Sequence, residues 1–141
     1  FELGEYWLTG DVASRDSEGN FYHLDRTVDV IDTLAGPVYS LLVEEVLLAD
    51  CDDVVRDCAV VGVPGPDGDQ RPIAVVQLQA DAADWTAEKV RETANQALAE
   101  TGLATLDAVI VARASEDYPT GPTGKSLKRE LRTRHATLLT G

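Results

Sequence analysis

Methionine is missing from this chain, and positive charge, cysteine and aromatic side chains are all scarce. With Phe1 in first place and no initiator in the chain, the sequence is expected to be a fragment or a processed piece of a longer protein. Only 12 lysines and arginines face 25 acidic residues, for a net charge of −13. A nucleic-acid backbone or an anionic membrane surface would be repelled overall, so neither is expected as a partner. The only cysteines are Cys51 and Cys58, and the six residues between them match no common metal-binding spacing. His23 and His135 lie far from both in sequence, so no metal site is expected. The thiols read as buried or half-buried groups in a reducing compartment. No apolar run reaches the roughly 18 residues of a membrane span, and no signal peptide is visible, so the expected location is cytoplasmic. Repeats and low-complexity tracts are also missing.

The 141 residues suffice for one domain with a real core, or for one domain and a piece of another. Short strands are expected at residues 6–9, 12–15 and 21–24, around a turn at 16–20. Residues 28–32 have a strand-like mix, and Gly36-Pro37 breaks the chain. The spacing of Leu42, Val43, Val46 and Leu47 predicts a helix over 41–49, with Glu44 and Glu45 outside the apolar stripe. Residues 54–63 and 73–78 read as two strong strands joined by a Pro/Gly/Asp loop. Residues 86–100 form the clearest helix, with Val90, Ala94, Ala97 and Leu98 on one face and Gly102 as its stop. A strand over 106–113 and a last helix over 126–139 follow. This order implies an α+β fold: a small β hairpin, then a roughly three-stranded sheet flanked by helices.

Residues 119–125, Pro-Thr-Gly-Pro-Thr-Gly-Lys, are the most informative stretch. Two glycines and two prolines restrict the backbone, so Lys125 is held rather than left on a loose tip. The loop opens into a basic helix, and its amide groups with the lysine charge suit an anionic ligand. Lys128, Arg129, Arg132, Arg134 and His135 follow, against the acidic sign of the whole chain. Most of these fit a solvated helix face whose cations favour the C-terminal dipole, but Lys125 stands at the helix start. This is not a Walker A loop. That motif needs a glycine five residues before Gly124, where Pro119 stands, and a strand feeding straight into the turn.

Three segments together resemble one family, the adenylate-forming enzymes: acyl- and aryl-CoA synthetases, nonribosomal adenylation domains and luciferases. Residues 6–11, Tyr-Trp-Leu-Thr-Gly-Asp, are similar to the family's aromatic-x-x-Thr-Gly-Asp motif. Residues 16–22, followed by Asp25-Arg26, are similar to its Asp-x-x-Gly-Tyr hairpin and the arginine after it. Residues 119–131 resemble its closing loop, in which Ser/Thr-Gly-Lys leads into a basic helix. The resemblance covers the whole chain but only the last quarter or so of a typical member. It implies that residues 1–26 are the tail of a large N-terminal domain and that 27–141 are the mobile C-terminal domain.

In such enzymes a carboxylate attacks the α-phosphate of ATP with the help of Mg2+. Acyl-adenylate and pyrophosphate form, and after the small domain rotates a thiol, usually that of CoA, displaces AMP. The resemblance assigns Asp11 and Arg26 to the nucleotide ribose and Lys125 to catalysis, bridging the acid and the α-phosphate. A fixed carboxylate suits the ribose hydroxyls, a planar guanidinium the same region, and a held ammonium the crowded charge of the first transition state. The magnesium ligands and the acid pocket are expected in the large domain.

The chain departs from the family in one region. The hinge position falls on Val28, with Asp29 in the acidic position after it. The Gly-Gly or Gly-Tyr turn that lets the backbone approach the pantetheine arm falls on Leu34-Ala35, between Thr33 and Gly36. The glutamate that opens the next helix falls on Leu42, and Glu44 is the nearest acidic match to its partner. These departures lie on the surface used by the second half-reaction, while the lysine of the first is intact. The leading expectation is an acyl- or aryl-CoA ligase. A specialist of one half-reaction, a domain loading a carrier-protein phosphopantetheine, and a non-catalytic interaction domain are the alternatives.

Overall fold

The computed structural model describes residues 4–8, 11–15, 17–18, 21–26, 29–120 and 128–140, the strands before residue 27 as backbone. Strands β1 (Gly4–Leu8), β2 (Asp11–Arg15) and β3 (Phe21–Arg26) form an antiparallel meander. Its register slips between Val12 and Ala13, where β2 meets β3.

A small hairpin follows, made of β4 (Ile31–Thr33) and β5 (Gly36–Val38). This corrects the sequence reading, which took Gly36-Pro37 as a break. Gly36 has φ 123°, so it carries the unusual backbone conformation while Pro37 continues the strand. Three-residue strands are too short for alternation to reveal.

The main sheet has the order β6-β7-β8. β6 (Val55–Pro64) and β7 (Gln70–Leu78) are antiparallel neighbours rich in valine, and β8 (Ala108–Val111) runs parallel to β7. Burial on both faces explains the near-continuous apolar runs of β6 and β7. Cys58, Val60, Ala74 and Val76 meet Val43 and Leu47 of α1 (Ser40–Asp50) and Val90, Ala94 and Leu98 of α2 (Ala87–Thr101). Ala59, Val61, Val63, Ile73 and Val75 point the other way, toward Tyr118 and Leu131 of α3 (Lys128–Arg134). The alternation along β6 thus sorts α1 and α2 onto one face and α3 onto the other.

Local chemistry sets the ends. The Thr86 hydroxyl accepts the Lys89 N–H at 3.2 Å, and Gly102 closes α2 in the left-handed region at φ 80°. The Asn95 side chain accepts the Leu106 N–H at 2.7 Å and donates to its carbonyl at 3.0 Å, so Leu106 is spent on α2 and β8 starts later than the expected residue 106. The last helix is also shorter than expected. After Arg134 the chain runs in turns, because Leu138 N–H donates to His135 three residues back and Thr140 N–H likewise to Thr137. Both cysteines are buried free thiols.

Candidate functional site

The register of the meander brings together two residues that are far apart in sequence. Asp11 and Arg26 are direct partners across β2 and β3, and Asp11 also opposes Leu8 across β1. Directly opposed residues in an antiparallel pair are about 4.5–5.5 Å apart at Cα. The two residues assigned to the nucleotide ribose therefore share one position on the meander. Their side chains lie outside the described residues, as do Val28 of the hinge and Lys125 itself.

Asp29, the acidic residue after the hinge position, is described. Its Oδ1 accepts from Arg132 Nη1 of α3 at 3.1 Å, and its side chain is 11% exposed. The turn assigned to the pantetheine region is the tip of the β4–β5 hairpin. Thr33 Oγ1 donates to the Gly36 carbonyl at 2.7 Å, closing the loop around Leu34-Ala35. Leu34 is 76% exposed there, a large apolar side chain presented to solvent. Because Gly36 takes the positive φ, the two residues before it can carry side chains. Gly62 on β6 lets this hairpin sit close: a Cβ there would lie 2.9 Å from Ile31 Cγ2. Gln70 Oε1 also accepts the Asp32 N–H at 3.2 Å.

The basic helix after Lys125 is tied to α1 around the free edge of β6. Lys128 Nζ meets Glu44 Oε2 at 2.7 Å and donates to Ser40 Oγ at 2.7 Å. Glu44 Oε2 also accepts the Val60 N–H at 2.9 Å, an edge donor that no described strand pairs. The neighbouring edge donor, Cys58 N–H, goes to Asp57 Oδ1 at 2.9 Å. The Lys128 and Glu44 side chains are 11% and 13% exposed, so their attraction is little screened, and losing one partner costs up to about 3–5 kcal/mol. The Cys58 thiol beneath them is held well above the ordinary thiol range, chiefly by burial and then by Glu44.

The sequence reading placed Glu44 outside the apolar stripe and gave it no partner. Its role in the fold is to join β6, α1 and α3. The one available signal is the i, i+4 pair Lys128 and Arg132 flanking the buried Leu131, which sets both cations beside the face that packs on the sheet. Elsewhere Arg71 gathers Asp67, Asp69 and Asp107 at 3.2, 2.8 and 3.0 Å, pinning the β6–β7 loop to the approach of β8. Among the described residues no group of three or more His, Cys, Asp or Glu side chains is arranged to hold a metal ion. Nor is any described helix long and apolar enough to cross a membrane.

The chain is similar to known proteins along most of its length. Residues 42–125 match the model of the AMP-binding enzyme C-terminal domain. The chain is 40% identical over 148 residues to 3-aminoavenalumate diazotase of a Streptomyces species, spanning 95% of this chain and 26% of that protein. It is 32% identical to the long-chain-fatty-acid–CoA ligase of Thermus thermophilus, over 92% of this chain and 23% of that one. Among solved structures, amide bond synthetase McbA from Marinactinospora thermotolerans superposes with a TM-score of 0.69 at 38% identity, over 89% of this chain and 24% of that chain. ATP-bound MatB from Rhodopseudomonas palustris gives 0.73 at 26% identity, over 95% and 25%. The chain thus spans about a quarter of the proteins it matches.

Proposed function

This chain belongs to the AMP-binding enzyme C-terminal domain family of adenylate-forming enzymes, and from that premise we propose that it serves an enzyme which activates a carboxylic acid with ATP and passes the acyl group to a nucleophile other than CoA. Residues 27–141 are the domain that rotates between the two steps, and residues 1–26 close the large domain. Asp11 and Arg26 grip the ribose hydroxyls of the nucleotide. Lys125 stabilises the negative charge that builds up while the carboxylate and the α-phosphate crowd together. Magnesium and the acid are held by the large domain.

The observation that carries the choice of acceptor is the tip of the β4–β5 hairpin. Leu34 projects an exposed apolar side chain where a pantetheine arm requires bare backbone. Support also comes from two relatives of high identity, whose names describe a diazotase and an amide bond synthetase rather than a CoA ligase. A second reading, an acyl- or aryl-CoA ligase, is favoured by the likeness to the Thermus thermophilus enzyme.

The test supplies the complete enzyme with a preformed acyl-adenylate and offers CoA or hydroxylamine as acceptor. The proposal expects hydroxamate formation faster than the spontaneous reaction in an enzyme-free control, and little thioester. Replacing both tip residues, Leu34→Gly with Ala35→Gly, should raise thioester formation and leave pyrophosphate release alone. Fast thioester formation by the unaltered enzyme, unchanged in the double variant, would establish the CoA ligase reading instead.

A further inference from the structure

We propose that Glu44 and Asp29 are positioning residues for Lys125, acting through helix α3. The inference rests on the role given to Lys125 above. Lys125 is three residues from Lys128, so their Cα atoms are at most about 11 Å apart along the chain. The pose of α3 therefore limits where the lysine can be presented.

Apolar packing alone does not fix that pose. Leu131 is fully buried against β6 and β7, but a single leucine permits rotation and sliding. Directional contacts remove both freedoms. Lys128 sits between Glu44 Oε2 and Ser40 Oγ, each at 2.7 Å, and one turn later Arg132 reaches Asp29 at 3.1 Å. Glu44 is in turn fixed by the Val60 N–H at 2.9 Å, so the anchor is part of the rigid sheet. Asp29 directly follows the hinge position. The clamp thus bolts the helix after the lysine loop both to the domain core and to the segment where rotation starts. When the domain turns, α3 turns with it as one body.

The test uses the complete enzyme carrying Glu44→Gln, Asp29→Asn, Lys128→Met or the conservative Lys128→Arg. Two readouts are taken: hydrogen exchange across residues 119–127, and ATP–pyrophosphate exchange with 4-coumarate and anthranilate as acid probes. Glu44→Gln should speed exchange in 119–127 and leave β6 and β7 unchanged. It should also lower adenylation by about tenfold, within the range that a small misplacement produces. Lys128→Arg should recover both and Lys128→Met neither. On a Lys125→Ala background Glu44→Gln should have no further effect on adenylation, because there is no lysine left to position.

Unchanged exchange in 119–127 would overturn the proposal. So would faster exchange throughout β6 and β7, or a Glu44→Gln effect of the same size with and without Lys125, since either marks a purely structural ion pair. If the unaltered enzyme gives no pyrophosphate exchange with these probes or with a wider panel of acyl and aryl acids, the adenylation reading is what fails, and the hydrogen-exchange result still decides the clamp.

Discussion

Glu44 looks like one more acidic residue on a solvated helix face, and in the folded chain its carboxylate bonds an edge N–H of β6 and the ammonium of Lys128. Periodicity reports which residues face a core, but it is silent on a polar side chain whose partners arrive from another strand and another helix. The thiol below Glu44 follows from the same geometry. Cys58 is 4% exposed, and burial followed by the neighbouring carboxylate holds it in the neutral form. Iodoacetamide at pH 8 should leave Cys58 unmodified in the native protein and alkylate it in denaturant. Rapid native alkylation would show that the face between α1 and β6 opens. His135 makes a pH-dependent case. Its pKa lies below the ordinary 6.5, first through burial and then through Arg134, against an opposing pull from Asp117. The folded state therefore prefers the neutral imidazole, and the unfolded state takes up the proton first as pH falls. Stability should be intact above about pH 6.5 and drop as pH falls through the depressed folded value. Urea titrations between pH 8 and 5 should show this loss, and His135→Gln should remove it.

Long elements were legible in the sequence because burial imposes a period on them. The β-branched runs of β6 and β7 and the Val90, Ala94, Leu98 stripe of α2, with its Thr86 and Gly102 ends, needed no tertiary information. The β4–β5 hairpin was not legible, since its two strands have three residues each and its stability comes from outside. Ile31 is buried against the sheet, and Gly62 gives it room. Gly62→Ala places a methyl carbon 2.9 Å from Ile31 Cγ2, so either the hairpin lifts or the Ile31 rotamer strains. Equilibrium unfolding should record a loss of about 1–3 kcal/mol. A neutral result would mean that the hairpin lies on the sheet loosely. The loop of residues 119–125 was the clearest functional feature of the sequence, because glycine, proline and a lone lysine leave a pattern that no core needs. The clamp that follows it was hidden, because an ion pair between Lys128 and Glu44 obeys no sequence period.

At the scale of the whole molecule, the proposal has the domain offer one lysine to a reaction whose other parts lie in the large domain. The meander carries Asp11 and Arg26 as register partners on the near side of the hinge position. The three-stranded sheet, with its helices on both faces, follows the hinge position in the chain. On the proposed reading, rotation about the segment between them brings Lys125 to the nucleotide for the first step and withdraws it for the second, so its charge would serve adenylation alone. The direct measurement follows the two half-reactions separately in the complete enzyme bearing Lys125→Ala. Removing one preorganised electrostatic contact should lower pyrophosphate release by about 10²–10³, some 3–4 kcal/mol. Transfer from a supplied acyl-adenylate to its acceptor should proceed as in the unaltered enzyme. An equal fall in both half-reactions would contradict the assignment and make Lys125 a structural residue.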